Sequence, residues 1–109
     1  MSGHDNLAYG SNAGRNVTGG QNQAIGYSAG QNVSGDHNQA YGYNAGQNVQ
    51  GSNNVALGFN AGRGADAASP LQVNDGVSIG YQAQAQADRG IALGRDATVQ
   101  GVDAVAIGT

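Results

Sequence analysis

The side chains able to do chemistry are few: two histidines, each beside an aspartate, four arginines, no lysine, no cysteine and six aromatic rings. His4 precedes Asp5 and His37 follows Asp36, a pairing that could polarise a water or begin a metal site if other groups converged on it. Both pairs are merely adjacent in sequence and neither recurs, so solvated loop residues are expected. Gly62-Arg63-Gly64 lacks the Gly-Lys-Ser/Thr sequence and following helix of a phosphate loop. Without cysteine, disulfides and thiolate metal sites are excluded. No catalytic, cofactor-binding or metal-ligating residue is expected, and no enzymatic activity.

Recurrence is the stronger signal. Tyr27, Tyr43, Phe59 and Tyr81 each follow a glycine that closes an Ala-x-Gly motif, so they are expected to form an aromatic column at a turn. Tyrosine supplies large contact area at low entropic cost, which makes this column, with Arg15, Arg63 and Arg95, a possible ligand surface beside its stacking role. Asn6, Asn22, Asn38 and Asn54 recur once per unit, as do Asn16, Asn32 and Asn48. Stacked asparagines are expected to hydrogen-bond up a ladder and satisfy turn backbone.

The elements that position these residues follow from the period. The Ala-x-Gly glycines are Gly10, Gly26, Gly42, Gly58, Gly80, Gly94 and Gly108, spaced by 16, 16, 16, 22, 14 and 14 residues. Such a period is too short for helical-hairpin or propeller-blade repeats and fits one coil of a β-solenoid with two short strands. Six intervals at the inter-strand spacing predict a rod roughly 30 Å long, with essentially no helix. The 109 residues then divide into 16-residue coils over 1–67, an insertion at 68–76 carrying the only proline, Pro70, and 14-residue coils over 77–109. The insertion could serve binding or simply adjust register. The repeat starts almost at once after Met1, with no basic or apolar leader segment, so the chain is expected to be a piece of a longer protein.

The two strands of a coil differ in pattern. Strand one carries a column of small residues, Ala8, Ala24, Ala40, Ala56, Ser78, Ala92 and Ala106. Bulky residues flank it: Leu7, Tyr9, Ile25, Tyr41, Val55, Leu57, Val77, Ile79, Ile91, Leu93, Val105 and Ile107. Strand two alternates strictly, as in Gln82-Ala83-Gln84-Ala85-Gln86-Ala87 and Ala97-Thr98-Val99-Gln100, with one dry face and one wet face. The interior is expected to take the small column together with Ala83, Ala85, Ala97 and Val99. The bulky column then faces outward and needs a cover, for which further copies of the chain around a parallel axis are the simplest source. Two and three copies are equally compatible with that geometry. Gln23 and Gln39 interrupt the bulky column and make the N-terminal part of this face wetter.

A net charge of −3 lacks the basic footprint of nucleic-acid binding and the polybasic stretch of an anionic-membrane contact. No apolar run approaches a membrane span. Outward strand-two positions Ser34, Gln50, Asp66, Gln84 and Thr98 are mixed, unlike the regular array of an ice-binding roll.

Gly90-Ile91-Ala92-Leu93-Gly94-Arg95-Asp96-Ala97-Thr98-Val99-Gln100-Gly101, restarting at Ala104-Val105-Ala106-Ile107-Gly108, resembles the head repeats of trimeric autotransporter adhesins, the YadA-like heads. The resemblance is most specific over 77–109; the 16-residue coils share the Asn-x-Ala-x-Gly opening but carry two extra residues. It implies a left-handed parallel β-roll in a parallel homotrimer, with two further copies as partners. It also implies carriage on a stalk, anchoring in the outer membrane through parts absent here, and adhesion to host extracellular matrix or cell-surface protein. The collagen binding linked to strand-one motifs in some members is not carried onto residues, since Gln23 and Gln39 replace the apolar residue. Two other functions fit a roll: a structural spacer in a phage or prophage fibre, and, with less support, ice binding.

Overall fold

The computed structural model describes residues 5–64 and 71–108. They form an all-β parallel solenoid of about six turns, with no helix among the described residues. Strand one of successive coils builds a single sheet of seven parallel strands: β1 (Leu7–Tyr9), β2 (Gln23–Ile25), β3 (Gln39–Tyr41), β5 (Val55–Leu57), β7 (Val77–Ile79), β9 (Ile91–Leu93) and β11 (Val105–Ile107). Ala stacks on Ala at every step except Ser78, and each flanking residue pairs with its equivalent, as in Leu7↔Gln23 and Ile79↔Leu93. The principal extents are 33 × 23 × 22 Å.

Strand two is less continuous. Thr18, Ser34 and Gln50 are joined by single bridges. β4 (Val49–Gln50) pairs β6 (Leu71–Gln72), and β8 (Gln84–Ala85) pairs β10 (Thr98–Val99). These are separate two-stranded sheets, so the strand-two ladder breaks between the longer and the shorter coils.

The register locates the extra residues. Arg63 Nε donates to Gln47 Oε1 at an offset of 16, whereas Leu71 pairs Val49 at an offset of 22. The six-residue step therefore falls between Gly64 and Leu71, and residues 65–70, with Asp66 and Pro70, lie outside the described residues. This corrects the expected insertion at 68–76. Leu71-Gln72 is a ladder strand, Val73 is 1% exposed and Gly76 N donates to Asn54 Oδ1. Repeat spacing misplaces the step because Leu71-Gln72-Val73 replaces Val49-Gln50-Gly51 with bulkier residues and no motif glycine.

The interior is small-residue throughout. Ala24, Ala40 and Ala56 pack with Ala29, Ala45 and Ala61, while Val17, Val33 and Val49 form a second cluster with Leu71. In the shorter coils one cluster suffices: Ala83, Ala85, Ala92, Ala97 and Val99. Two expected core residues need correction. Ala8 is exposed and Ala106 only half-buried, because each lies in an end coil covered from one side.

The two extra residues of the longer coils widen the cross-section through left-handed backbone. Gly30, Gly46 and Gly62 have φ near +60°, and a Cβ on any of them would come within 3 Å of the Ala24, Ala40 or Ala56 methyl. Only glycine fits a turn that is both left-handed and pressed against the core. Ser78 stands where the ladder breaks. Its hydroxyl accepts from the buried Ala85 N–H at 2.9 Å, giving that donor a partner inside the roll.

Candidate interaction surfaces

With the alanine column inside, strand one points its bulky residues out. Leu7, Tyr9, Ile25, Val105 and Ile107 are exposed, and Tyr41, Val55, Leu57, Val77, Ile79, Ile91 and Leu93 are half-buried. The half-burial arises because each of the latter packs along the sheet against its equivalents in adjacent coils. What stays uncovered is a continuous apolar stripe along the rod. Toward the N-terminus it becomes polar: Gln39 is exposed, and the Tyr41 hydroxyl donates to Gln23 Oε1. A monomer leaving such a stripe in water is unusual.

The aromatic residues form a regular stack at the turn after strand one. Tyr27, Tyr43, Phe59 and Tyr81 have neighbouring ring centroids 5.0, 5.0 and 5.1 Å apart, with planes within 11° of parallel. Arg95 closes the column, its guanidinium carbon 5.2 Å from the Tyr81 centroid, a cation–π contact. The inner rings have both faces covered, so the stack offers ring edges and tyrosine hydroxyls rather than flat platforms. Of the three arginines grouped with it by sequence, Arg95 joins the column and Arg63 turns to Gln47. Arg15 is exposed, with no contact to a ring.

The asparagine columns are structural ladders. Asn6, Asn22 and Asn38 each accept, at Oδ1, from the backbone N–H of the equivalent asparagine one coil on, and their Nδ2 groups donate to Gly19, Gly35 and Gly51 carbonyls. Asn16 donates to Asn32 and Asn32 to Asn48, all three with φ near +57°. Asn48 ends the run by donating to the Gly64 carbonyl, which stands where another asparagine would. A third column was not anticipated. Asp36, Ser52, Asn74 and Asp88 accept, in turn, from the backbone N–H of Gly20, Asp36, Ser52 and Asn74. The four residues share only a short polar acceptor, so no motif advertised it.

Asp36 is thus a turn cap, and His37 sits in the left-handed position beside it with φ +61°. The equivalent positions are Asp5, Gln21, Asn53, Asp75, Arg89 and Asp103, which places the His37 pair in a turn rather than a pocket; His4 lies outside the described residues. Among the described residues no group of three His, Cys, Asp or Glu could hold a metal, and no helix is long and apolar enough to cross a membrane. Arg89 and Asp103 form an exposed ion pair at 2.6 Å, whose hydrogen bond lowers the Asp103 pKa and raises that of Arg89.

Where the longer coils meet the shorter ones the surface has a step. An open polar cleft of about 440 Å³ lies there, lined by Asn60, Arg63, Gly64, Gln82, Gln84, Asp96 and Thr98. Asn60 Oδ1 and Gln84 Oε1 are buried without a hydrogen-bond partner.

Residues 74–97 and 87–109 match the YadA head domain repeat, in two overlapping copies. No curated protein and no solved structure matches the chain. The matched coils share one uninterrupted strand-one sheet with the 16-residue coils before them. The C-terminal third of this chain is thus built of YadA-type head repeats.

Proposed function

We propose that the chain is a head segment of a bacterial cell-surface adhesin, a left-handed roll assembled as a parallel homotrimer through strand one. It attaches to a host extracellular-matrix or cell-surface protein and is held at the outer membrane by other parts of the protein. It works by display and contact, without catalysis, cofactor, nucleic acid or direct membrane insertion.

One observation carries this: from Val55 onward strand one carries apolar residues at both outward positions, and only its inner face has a cover within the chain. Each outward Ile, Leu or Val that a partner covers contributes on the order of 1 kcal/mol at ~25 cal/mol per Å², and the stripe repeats it in every coil from Val55 onward. A rotation axis parallel to the rod lets equivalent stripes meet and closes the assembly. The YadA head repeats in 74–109 favour three copies over two.

Light scattering after size exclusion tests the assembly, with three times the 10.8 kDa chain mass expected. A folded monomer at micromolar concentration would contradict it. Binding of the trimer to immobilised matrix proteins and to host cells tests attachment; an intact trimer that bound none of them would instead behave as a spacer.

A further inference from the structure

A face that repeats in every coil attracts a second copy without saying at what height it should sit. From Val55 onward nothing on strand one marks the height. The two outward positions read Val and Leu, Val and Ile, Ile and Leu, then Val and Ile in successive coils. Equivalents lie in strict register along the sheet. Sliding a copy by one coil, about 4.8 Å, sets one apolar pair against another almost like it and uncovers only the end coils.

Before Val55 the levels differ. One outward column runs Leu7, Gln23, Gln39, Val55 in paired register, so two amide levels lie between a leucine and the valines. Gln39 is exposed. Gln23 Oε1 accepts from the hydroxyl of Tyr41, one coil on, and the Gln23 side-chain N–H groups remain to be offered to a neighbour. An amide both donates and accepts, so amides of equivalent residues around an axis can satisfy one another. Valine and leucine can do neither.

We propose that Gln23 and Gln39 are the selectivity determinants of this face, admitting copies that are aligned coil for coil and carry amides at the same two levels. This rests on the reading of strand one as the homotrimer face, and it names what that face recognises. In register, Gln23 meets Gln23 and Gln39 meets Gln39. One coil out, a junction sets Gln39 against Val55 and Gln23 against Leu7, and one displaced chain makes two such junctions in a closed ring of three. Each mismatch takes an amide from water and leaves it against an alkyl group without a partner. A polar residue in an apolar coiled-coil seam fixes register by the same means. The apolar coils thus supply the attraction and the two amide levels the alignment.

The test uses Gln23→Val/Gln39→Val, which carries the valine of the later coils at both levels. Wild-type chain and an isotope-labelled copy of this variant are unfolded together and refolded at equal concentration, and the trimers are counted by native mass spectrometry. Homotrimers of the two kinds should exceed their binomial share about threefold, because mixed trimers set amides against valines. Alignment is read separately by cross-linking, since the chain has no cysteine of its own. Leu57→Cys and Ile79→Cys chains, substituted one coil apart, are co-assembled and oxidised. With both glutamines present the disulfides should join equivalent positions; with both replaced by valine, links between the two positions should rise about fivefold. Binomial mixing, or a share of cross-position links unchanged by the two substitutions, would overturn the proposal while the trimer stands. A chain that stays monomeric at micromolar concentration refutes the trimer face itself, and the alignment with it. Should the double variant fail to fold, Gln39→Val alone is mixed in the same way, with a smaller excess of homotrimers expected and binomial mixing again overturning the proposal.

Discussion

The coils before Gly64 and those after Gly76 share one strand-one sheet and close it by different means. In the longer coils the corner before strand one is held by side chains: Asn6, Asn22 and Asn38 each bridge to the next coil. In the shorter coils glycine or alanine stands there, and the corner closes on backbone bonds, Gly90 N to the Ala87 carbonyl and Ala104 N to the Gly101 carbonyl. The longer coils need left-handed Gly30, Gly46 and Gly62 and a valine column to fill the wider section. The shorter ones fill theirs with alanine and one valine, and keep the more apolar outer face. The difference teaches that coil length sets how the corner before strand one is held: the longer coil uses turn side chains for it, the shorter coil backbone alone.

Breaking the apolar end of this contrast should have the largest effect. Leu93→Asp places a charge in the proposed trimer face, and removal of an unpaired charge from water costs several kcal/mol. Trimers should dissociate at micromolar concentration by light scattering, whereas Gln39→Asp, in the wetter part, should leave them assembled. Next comes the junction. Ser78→Ala strands the Ala85 N–H in the core and should cost about 1–3 kcal/mol, read by chemical denaturation together with faster amide exchange at Ala85. Within the longer coils, Asn32→Ala loses two ladder bonds, from Asn16 and to Asn48, and forces alanine into φ +57°. About 1–2 kcal/mol of destabilisation is expected, and Asn32→Gly should recover the backbone share.

The smallest effect belongs to the shorter coils. Asp103 has a pKa lowered by Arg89, so its contribution is present above the usual carboxylate value and is lost as pH falls through the lower folded value. Arg89→Gln should remove this slight acid-side slope in a pH series of melting temperatures. The pair is exposed, so neutral-pH stability should barely change.

Much of the solenoid is legible in the sequence because the Ala-x-Gly spacing is both the period and the ladder register: Gly10, Gly26 and Gly42 stack as equivalents. The inward small column follows from it, and so does the aromatic stack. The valine column is equally visible, as Asn-Val in three successive coils, and its inward role parallels that of Val99 in strand two of the shorter coils. The step at Gly64 cannot be located by motif, because Val73 fills a position held by glycine in the coils before it. The Asp36–Ser52–Asn74–Asp88 column shares no single residue type, only an acceptor within reach of one N–H. The orphaned Asn60 and Gln84 oxygens depend on where Arg63 points, which no spacing states.

The break in the strand-two ladder has a mechanical meaning. Hydrogen bonds between coils run along the rod, so a pull on a tethered rod loads them in tension and the coils peel away singly. Between β6 and β8 the strand-two side contributes no paired strand, while strand one continues through β5 and β7. Under load the rod should open first on that side, hinging about strand one, with the coils on either side still folded. In a rod tethered at one end, the change of coil length would thus set the place that yields first.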